Sequence, residues 1–438
     1  MMNTNDKFYI REISGLKFSI LELPNSGFFR YETATDMGSD FEAAYLAKTG
    51  RWVHGMAHLI EHLSFKSPKD YTSDELIKML KVNGDFNAYT DTDRIHYYYN
   101  TISNNFKLAI SLVANITFND LTMVDASEFE SERSVVANEI RRYQDDAQTI
   151  FGFQARAVAT GRNLNDNILG VPELLENFTL HDCSEMKKHF IQTANIVHRI
   201  TFDPNDLNLE DITSWVVMER NRINEGQGGP SINISRDEYE AYRRSGIMVG
   251  EPIHLNSTSG QCLISVYAPF SGMEVSLPIR QAIHYVGYMA ETSVNELIRE
   301  RHGLTYGIHL SSFTLGKQHI MTFSVDVEQD KFELVMRLIA DAFQQTVERF
   351  GTDDFKALSD KFEIQTVNSR LNRSNQLELH GIPERSPGWI KYASLYSEDA
   401  NLAGKKITTD WLTFDNVKNC LCHLNDIIQR KKFLIVRT

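Results

Sequence analysis

Five residues, His58-Leu59-Ile60-Glu61-His62, constrain this chain more than any others. On a helix each residue advances about 100°, so Glu61 falls near −60° and His62 near +40° relative to His58, one arc of roughly 100°. A helix bearing this pentapeptide therefore presents two imidazoles and a carboxylate on one side. That face suits a zinc ion held by both imidazoles, with a general base beside its open coordination position. The order H-x-x-E-H is the inverse of the commoner H-E-x-x-H, but the helical face is the same. Histidines at this spacing also occur as plain surface positions. A catalytic zinc has three protein ligands and a water, so the pentapeptide needs a third ligand from elsewhere.

Glu139 is the candidate. Ser131 to Tyr143 contains no Gly or Pro and carries apolar residues at Val135, Val136 and Ile140, which predicts a helix. Glu132 and Glu139 stand two turns apart on it and share a face. As isolated residues both read as solvated helix glutamates.

The wider pattern resembles the pitrilysin/insulinase family of zinc peptidases, the inverzincins, in its two-domain, mitochondrial-processing-peptidase-like type. Gly55 to Lys66 is similar to the family's zinc-helix segment. Asn87-Ala88-Tyr89-Thr90 is similar to its substrate strand, and Glu132-Arg133 through Glu139-Ile140 to its third-ligand helix. Asn167-Ile168-Leu169-Gly170 resembles the loop before its next helix, and Arg299 and Tyr306 resemble its C-terminal Arg/Tyr pair. The resemblance spans about residues 15–325, in order; the last hundred residues carry no matching motif.

The resemblance implies that His58, His62 and Glu139 bind one Zn2+ and that Glu61 is the base. Glu132 would orient a ligand histidine, Asn87, Ala88 and Tyr89 would lie along an extended peptide, and Arg299 and Tyr306 would contact substrate and the developing oxyanion. It implies an α+β fold of two similar α/β-sandwich domains arising by duplication, a clamshell-like half of a peptidase chamber. The expected activity is endoproteolysis of unfolded or short polypeptides. The alternative is a non-catalytic, peptide-binding or scaffold subunit. The expected partner is a second copy, or an inactive homologue in a heterodimer, with trans contributions to the site.

Bulk properties are compatible with this. The chain has 438 residues, 42% of them hydrophobic, enough for several packed units. Nothing approaches eighteen consecutive apolar residues, so no membrane span is expected. Met1 to Lys7 lacks the apolar core of a secretory signal and the character of a mitochondrial presequence. Cys183, Cys262, Cys420 and Cys422 form no disulfide framework, which favours a reducing, cytoplasmic setting. Cys420-Leu421-Cys422-His423 has a poor spacing for structural zinc and reads as ordinary thiols. A net charge of −13 without a basic run argues against nucleic acid.

Along the chain, strands are expected at 8–10, 16–23 and 28–34, within 86–100, and at 196–202. Helices are expected from Gly55, from Ser73 to Val82 with Ser73 as N-cap, and near 103–118 and 125–145. Residues 221–231, with Glu225-Gly226-Gln227-Gly228-Gly229-Pro230, read as a glycine-rich linker between a catalytic domain, 1–220, and a second domain, 232–438. The second half repeats the order: strand 262–268, helix 279–299, strands within 305–327, helix 330–350 and strand 433–436. Where the zinc helix would recur, Arg280 to Tyr288 has one histidine and no H-x-x-E-H, so no zinc is expected there. His96 reads as a satisfied strand histidine, His54 as cut off from the helix by Gly55, and Trp52 and Phe65 as core.

Overall fold

A computed structural model of the chain describes residues 7–35, 37–66, 68–162, 167–192, 196–242, 247, 249–255, 261–270, 277–315, 318–360 and 413–438. The leader reading of 1–6 and the side chains of Arg280, Gln281, His284 and Tyr285 lie outside it. Contacts divide the described residues into two units. One holds residues up to Arg142 and from Asn167 to Tyr242; the other holds Tyr143 to Arg162 and everything from Ile247 on.

The first unit is built on six strands: β1 (Lys7–Ile13), β2 (Leu16–Glu22), β3 (Phe28–Ala34), β4 (Asp85–Thr90), β5 (Ile95–Ile102) and β6 (Val197–Phe202). Their order is β1-β2-β6-β3-β5-β4, with β2 and β6 parallel and every other neighbouring pair antiparallel. The stretch expected as one strand, 86–100, is two. Asp91 N–H donates to Arg94 O at 2.8 Å and folds the chain back, which leaves β4 on the edge.

Helices α1 (Phe41–Thr49), α2 (Met56–Leu63) and α3 (Ser73–Asn83) lie between β3 and β4. α4 (Phe106–Phe118) follows β5 and packs on β3 and β5; α5 (Ala126–Gln144) comes next. The core joins strand residues Phe18, Ile20, Phe29 and Tyr31 to helix residues such as Leu59, Leu63, Ile110 and Phe118, all fully buried. The cap of α3 is Thr72, not Ser73. Its hydroxyl accepts from Glu75 N–H and the Glu75 carboxylate accepts from Thr72 N–H, a complete capping box.

The second unit carries β7 (Ile253–His254), β8 (Gln261–Phe270), β9 (Ile308–Leu315), β10 (Gln318–Glu328) and β11 (Leu434–Arg437), ordered β7-β11-β8-β10-β9. β7 and β11 are parallel; the other pairs are antiparallel. This is the order and sense of β2-β6-β3-β5-β4, so one α+β fold occurs twice. α6 (Ala147–Ala159) packs on one face of this sheet through Phe151, Ala155 and Ala159. On the other face lie α11 (Leu277–Asn295), α12 (Phe332–Arg349) and α13 (Phe414–Gln429). Coverage on both faces explains why Cys262 to Phe270 is nearly unbroken hydrophobic sequence.

The division of the chain differs from the expected cut at 221–231. α7 (Pro172–Leu175), α8 (Leu180–Gln192), α9 (Leu209–Asn224) and α10 (Arg236–Tyr242) belong to the first unit, so the glycine-rich stretch lies inside it. That stretch is also tied down. Gln192 donates to Gly228 O, Glu185 accepts from Ser231 N–H, and His189 Nε2 lies 2.7 Å from Ile232 O. Gln227 donates to Phe118 O. The chain crosses between units after Arg142, before Asn167 and again after Tyr242, which carries α6 onto the second sheet.

Candidate metal centre

α2 is eight residues long and mostly buried, with His58, Glu61 and His62 on one side. The rings of His58 and His62 stand perpendicular, with centroids 4.9 Å apart. α5 brings Glu139 to the same point. His58, His62 and Glu139 each offer one ligand atom, and these atoms lie within 4.8 Å of one another; this is the one such group of three or more among the described residues.

Around it the polar contacts interlock. His62 Nδ1 lies 2.9 Å from Glu132 Oε1, and His62 Nε2 lies 3.4 Å from Glu139 Oε2. Glu132 Oε2 accepts from Lys66 Nζ at 2.7 Å. With one imidazole nitrogen held by Glu132, the other faces Glu139, the arrangement that fixes tautomer and ring direction in ligating histidines. Glu61 Oε2 accepts from the Thr90 hydroxyl at 2.6 Å, so the would-be base is tied directly to the end of β4.

These contacts shift protonation. Burial pushes His58 down to about 4, with His62 adding to the effect and Glu139 opposing it. Burial also opposes charge on His62, but hydrogen bonds to Glu132 and Glu139 outweigh it and raise the imidazole to about 9. Glu139 is lowered chiefly by its hydrogen bond to His62. Glu132 is lowered because His62 and Lys66 outweigh its burial. Burial raises Glu61, and the Thr90 hydroxyl partly offsets this. The site favours positive charge among its carboxylates, which a metal ion would supply in place of a proton. Two nitrogens and a carboxylate oxygen are a donor set zinc accepts, with a fourth position left for water.

The other expected site residues fall as follows. Asn87, Ala88 and Tyr89 are on β4, the sheet's edge; Tyr89 is 44% exposed and stacks on His96 at 4.2 Å between centroids. In the second unit, Arg299 lies on a π-helical turn (Glu296–Arg301) that prolongs α11, with its guanidinium carbon 4.9 Å from the centre of the Tyr306 ring. Tyr306 is 84% exposed. Trp52, expected in the core, is instead half exposed, its ring edge-on to His54 at 5.1 Å between centroids. Cys420 is buried and Cys422 exposed, both unbridged.

Several contributors were not identified from the sequence. Glu42 of α1 is fully buried and accepts from Ala57 N–H at 2.8 Å and from Gly55 N–H. Thr90 and Lys66 lie within the family-like segments, where no role distinguished them. Gly55 and Gly170, at φ +94° and +79°, touch through their backbones, which lays the 167–171 loop against the start of α2.

The chain is similar to several known proteins. The profile of Insulinase (Peptidase family M16) matches residues 38–173, which include the whole His-His-Glu group. A Bacillus subtilis relative, the uncharacterised zinc protease YmxG, is 19% identical over 75% of this chain and 78% of its own. The Helicobacter pylori zinc protease PqqE is 31% identical over 34% of each chain. The crystal structure of a Helicobacter pylori protease superimposes with a TM-score of 0.73 at 15% identity, covering 99% of both chains. That of a Pseudomonas fluorescens peptidase M16 inactive domain reaches 0.69 at 14% identity, covering 98% of this chain and 97% of its own. The chain thus has a two-unit α+β fold, and its relatives are named zinc proteases. The profile match and these relatives support the insulinase family, peptidase family M16.

Proposed function

We propose that the chain is a zinc-dependent endopeptidase that hydrolyses unfolded or short polypeptides in an enclosed chamber. One observation carries the reading: His58, His62 and Glu139 converge within 4.8 Å, while Glu61, on the same face of α2, is hydrogen-bonded to the edge strand. His58, His62 and Glu139 would hold the ion. Bound zinc supplies a polarising charge and a water acidified to a pKa of about 7.

Glu61 takes a proton from the attacking water and passes it to the leaving amine. Glu132 keeps His62 turned toward the ion. β4 has no strand on its outer side, so a peptide lies beside Asn87 to Tyr89 as an added strand, displacing the Asn87 amide oxygen from Ala88 N–H. Because Thr90 ends that strand and holds Glu61, a bound peptide runs past the base. Backbone pairing is indifferent to side chains, which suits a broad substrate range.

Arg299 and Tyr306 would supply contacts to substrate and oxyanion from a second domain of the same fold. We further propose that two chains act together, as a homodimer or beside an inactive homologue. An active monomer in sedimentation would overturn that part. The test of catalysis is cleavage of a quenched peptide, with metal content measured alongside, for wild type and His62→Ala. Joint loss of zinc and cleavage supports the reading. A metal-free wild-type chain that binds peptide without cutting it supports a scaffold subunit instead.

A further inference from the structure

A two-turn helix is a weak platform for two metal ligands, because nucleating a helix is costly and short helices fray. His58 is the third residue of α2, within the turn most exposed to fraying. The usual remedy, a capping side chain, is closed to it. The N-cap is Gly55, and a Cβ there would fall 2.7 Å from Gly170 Cα and 2.8 Å from Leu169 O. Gly55 has a left-handed φ and no side chain to offer an acceptor.

The missing acceptor comes from another helix. Glu42 of α1, with none of its surface exposed, takes Ala57 N–H at 2.8 Å on Oε1 and Gly55 N–H at 3.1–3.2 Å on both oxygens. At the opposite end, Ser64 caps α2 and its hydroxyl donates to Ile60 O at 2.6 Å. That hydroxyl accepts from Lys187 Nζ at 2.8 Å. Lys187, on α8, is 1% exposed and also donates to Ile116 O at 3.3 Å. Glu42 supplies the acceptor that the first N–H groups of the helix lack; at the other end Ile60 O already accepts from Ser64 N–H, and Lys187 anchors the Ser64 hydroxyl that adds a second bond to it.

We propose that Glu42 and Lys187 are positioning residues for the metal centre, clamping α2 at its two ends so that His58 and His62 are held ready for the ion. The inference rests on the zinc reading above. Neither residue touches the ligand atoms; each acts through the helix.

The experiment measures zinc affinity by chelator competition on the full chain, beside urea unfolding. The variants are Glu42→Leu, Glu42→Gln, Lys187→Met and Leu112→Ala. Leu112 is a fully buried residue of α4 and serves as the control for lost stability. Outer-shell partners of metal ligands typically contribute about 10–100-fold in affinity. Glu42→Leu is expected to weaken zinc binding by that order. Glu42→Gln, which keeps one oxygen for Ala57 N–H, should recover much of the loss. Lys187→Met removes a costly buried amine, so it should hold or raise global stability while zinc binding still weakens several-fold. Leu112→Ala should lose stability and keep wild-type zinc affinity. The proposal is overturned if zinc affinity simply follows global stability across the four variants. Wild-type protein that takes up no zinc fails the metal reading and the proposal with it; wild-type uptake with variants ranked by stability fails the proposal alone.

Discussion

Gly170→Ala should be among the most damaging single-methyl changes in the first unit. The added Cβ would lie 2.5 Å from Gly55 Cα and 2.6 Å from His54 O. Both obstacles are backbone, so no side-chain rotation relieves them. The residue also sits at φ +79°, where a non-glycine costs about 1–2 kcal/mol. Overpacking of a filled site adds about 1–3 kcal/mol. Alanine's smaller unfolded-state entropy returns only about 0.4–1 kcal/mol. The net expectation is a loss of about 1–4.6 kcal/mol, centred near 3. Gly226→Ala isolates the strain: φ is +83°, but nothing lies within 4 Å of the new methyl, so the same strain less the same entropy return leaves a loss of about 0–1.6 kcal/mol. Urea midpoints read the stabilities, and hydrogen exchange of peptides spanning 54–64 and 167–171 reads the local effect. Gly170→Ala should lose clearly more than Gly226→Ala and should loosen both peptides. Equal losses at the two glycines would refute the close-approach argument.

Other consequences follow from the same contacts. Glu132→Gln should weaken zinc binding about 10–100-fold at unchanged fold, measured by chelator competition, because His62 loses its ionic partner. Thr90→Val should lower kcat on a quenched peptide by about tenfold at full metal content, since one general-base contact commonly contributes 10²–10⁴-fold and here only its orientation is lost. Lys187, lowered by burial to about 7, binds fewer protons folded than unfolded between pH 7 and its free value near 10.4, so stability rises with pH there. Urea unfolding from pH 7 to 9 should show wild type gaining on the order of 2 kcal/mol relative to Lys187→Met; parallel profiles would contradict that burial.

How much of this was legible in the sequence depended on whether a group acts through spacing or through contact. His58, Glu61 and His62 were readable because helical periodicity alone puts them on one face. Glu139 was not derivable from spacing, since 77 residues separate it from His62 and its helix carries other glutamates; only the family resemblance singled it out. The edge position of β4 was likewise expected from resemblance, while the turn that makes the edge, Asp91 to Arg94, was absorbed into one long strand. Glu42 left no mark, because its partners, the Gly55 and Ala57 N–H groups and the His54 ring 3.5 Å away, stand at no spacing from it that sequence periodicity would single out. The glycines of 225–231 read as a linker by composition. Their backbone is held by Glu185, His189 and Gln192, which recur along α8 at a helical spacing that carries meaning only once the loop is seen beside it. Trp52, read as core beside the zinc helix, is left half in solvent by the packing.

The central claim is that α2 and α5 form a zinc site whose base is Glu61. The most direct measurement is metal content together with peptide cleavage for wild type and Glu61→Gln. The variant keeps both histidines and Glu139 and loses only the proton acceptor. About one zinc per chain is expected in both proteins, with cleavage lower by orders of magnitude in the variant. Equal cleavage by the two, or a wild-type chain that binds no zinc, would contradict it.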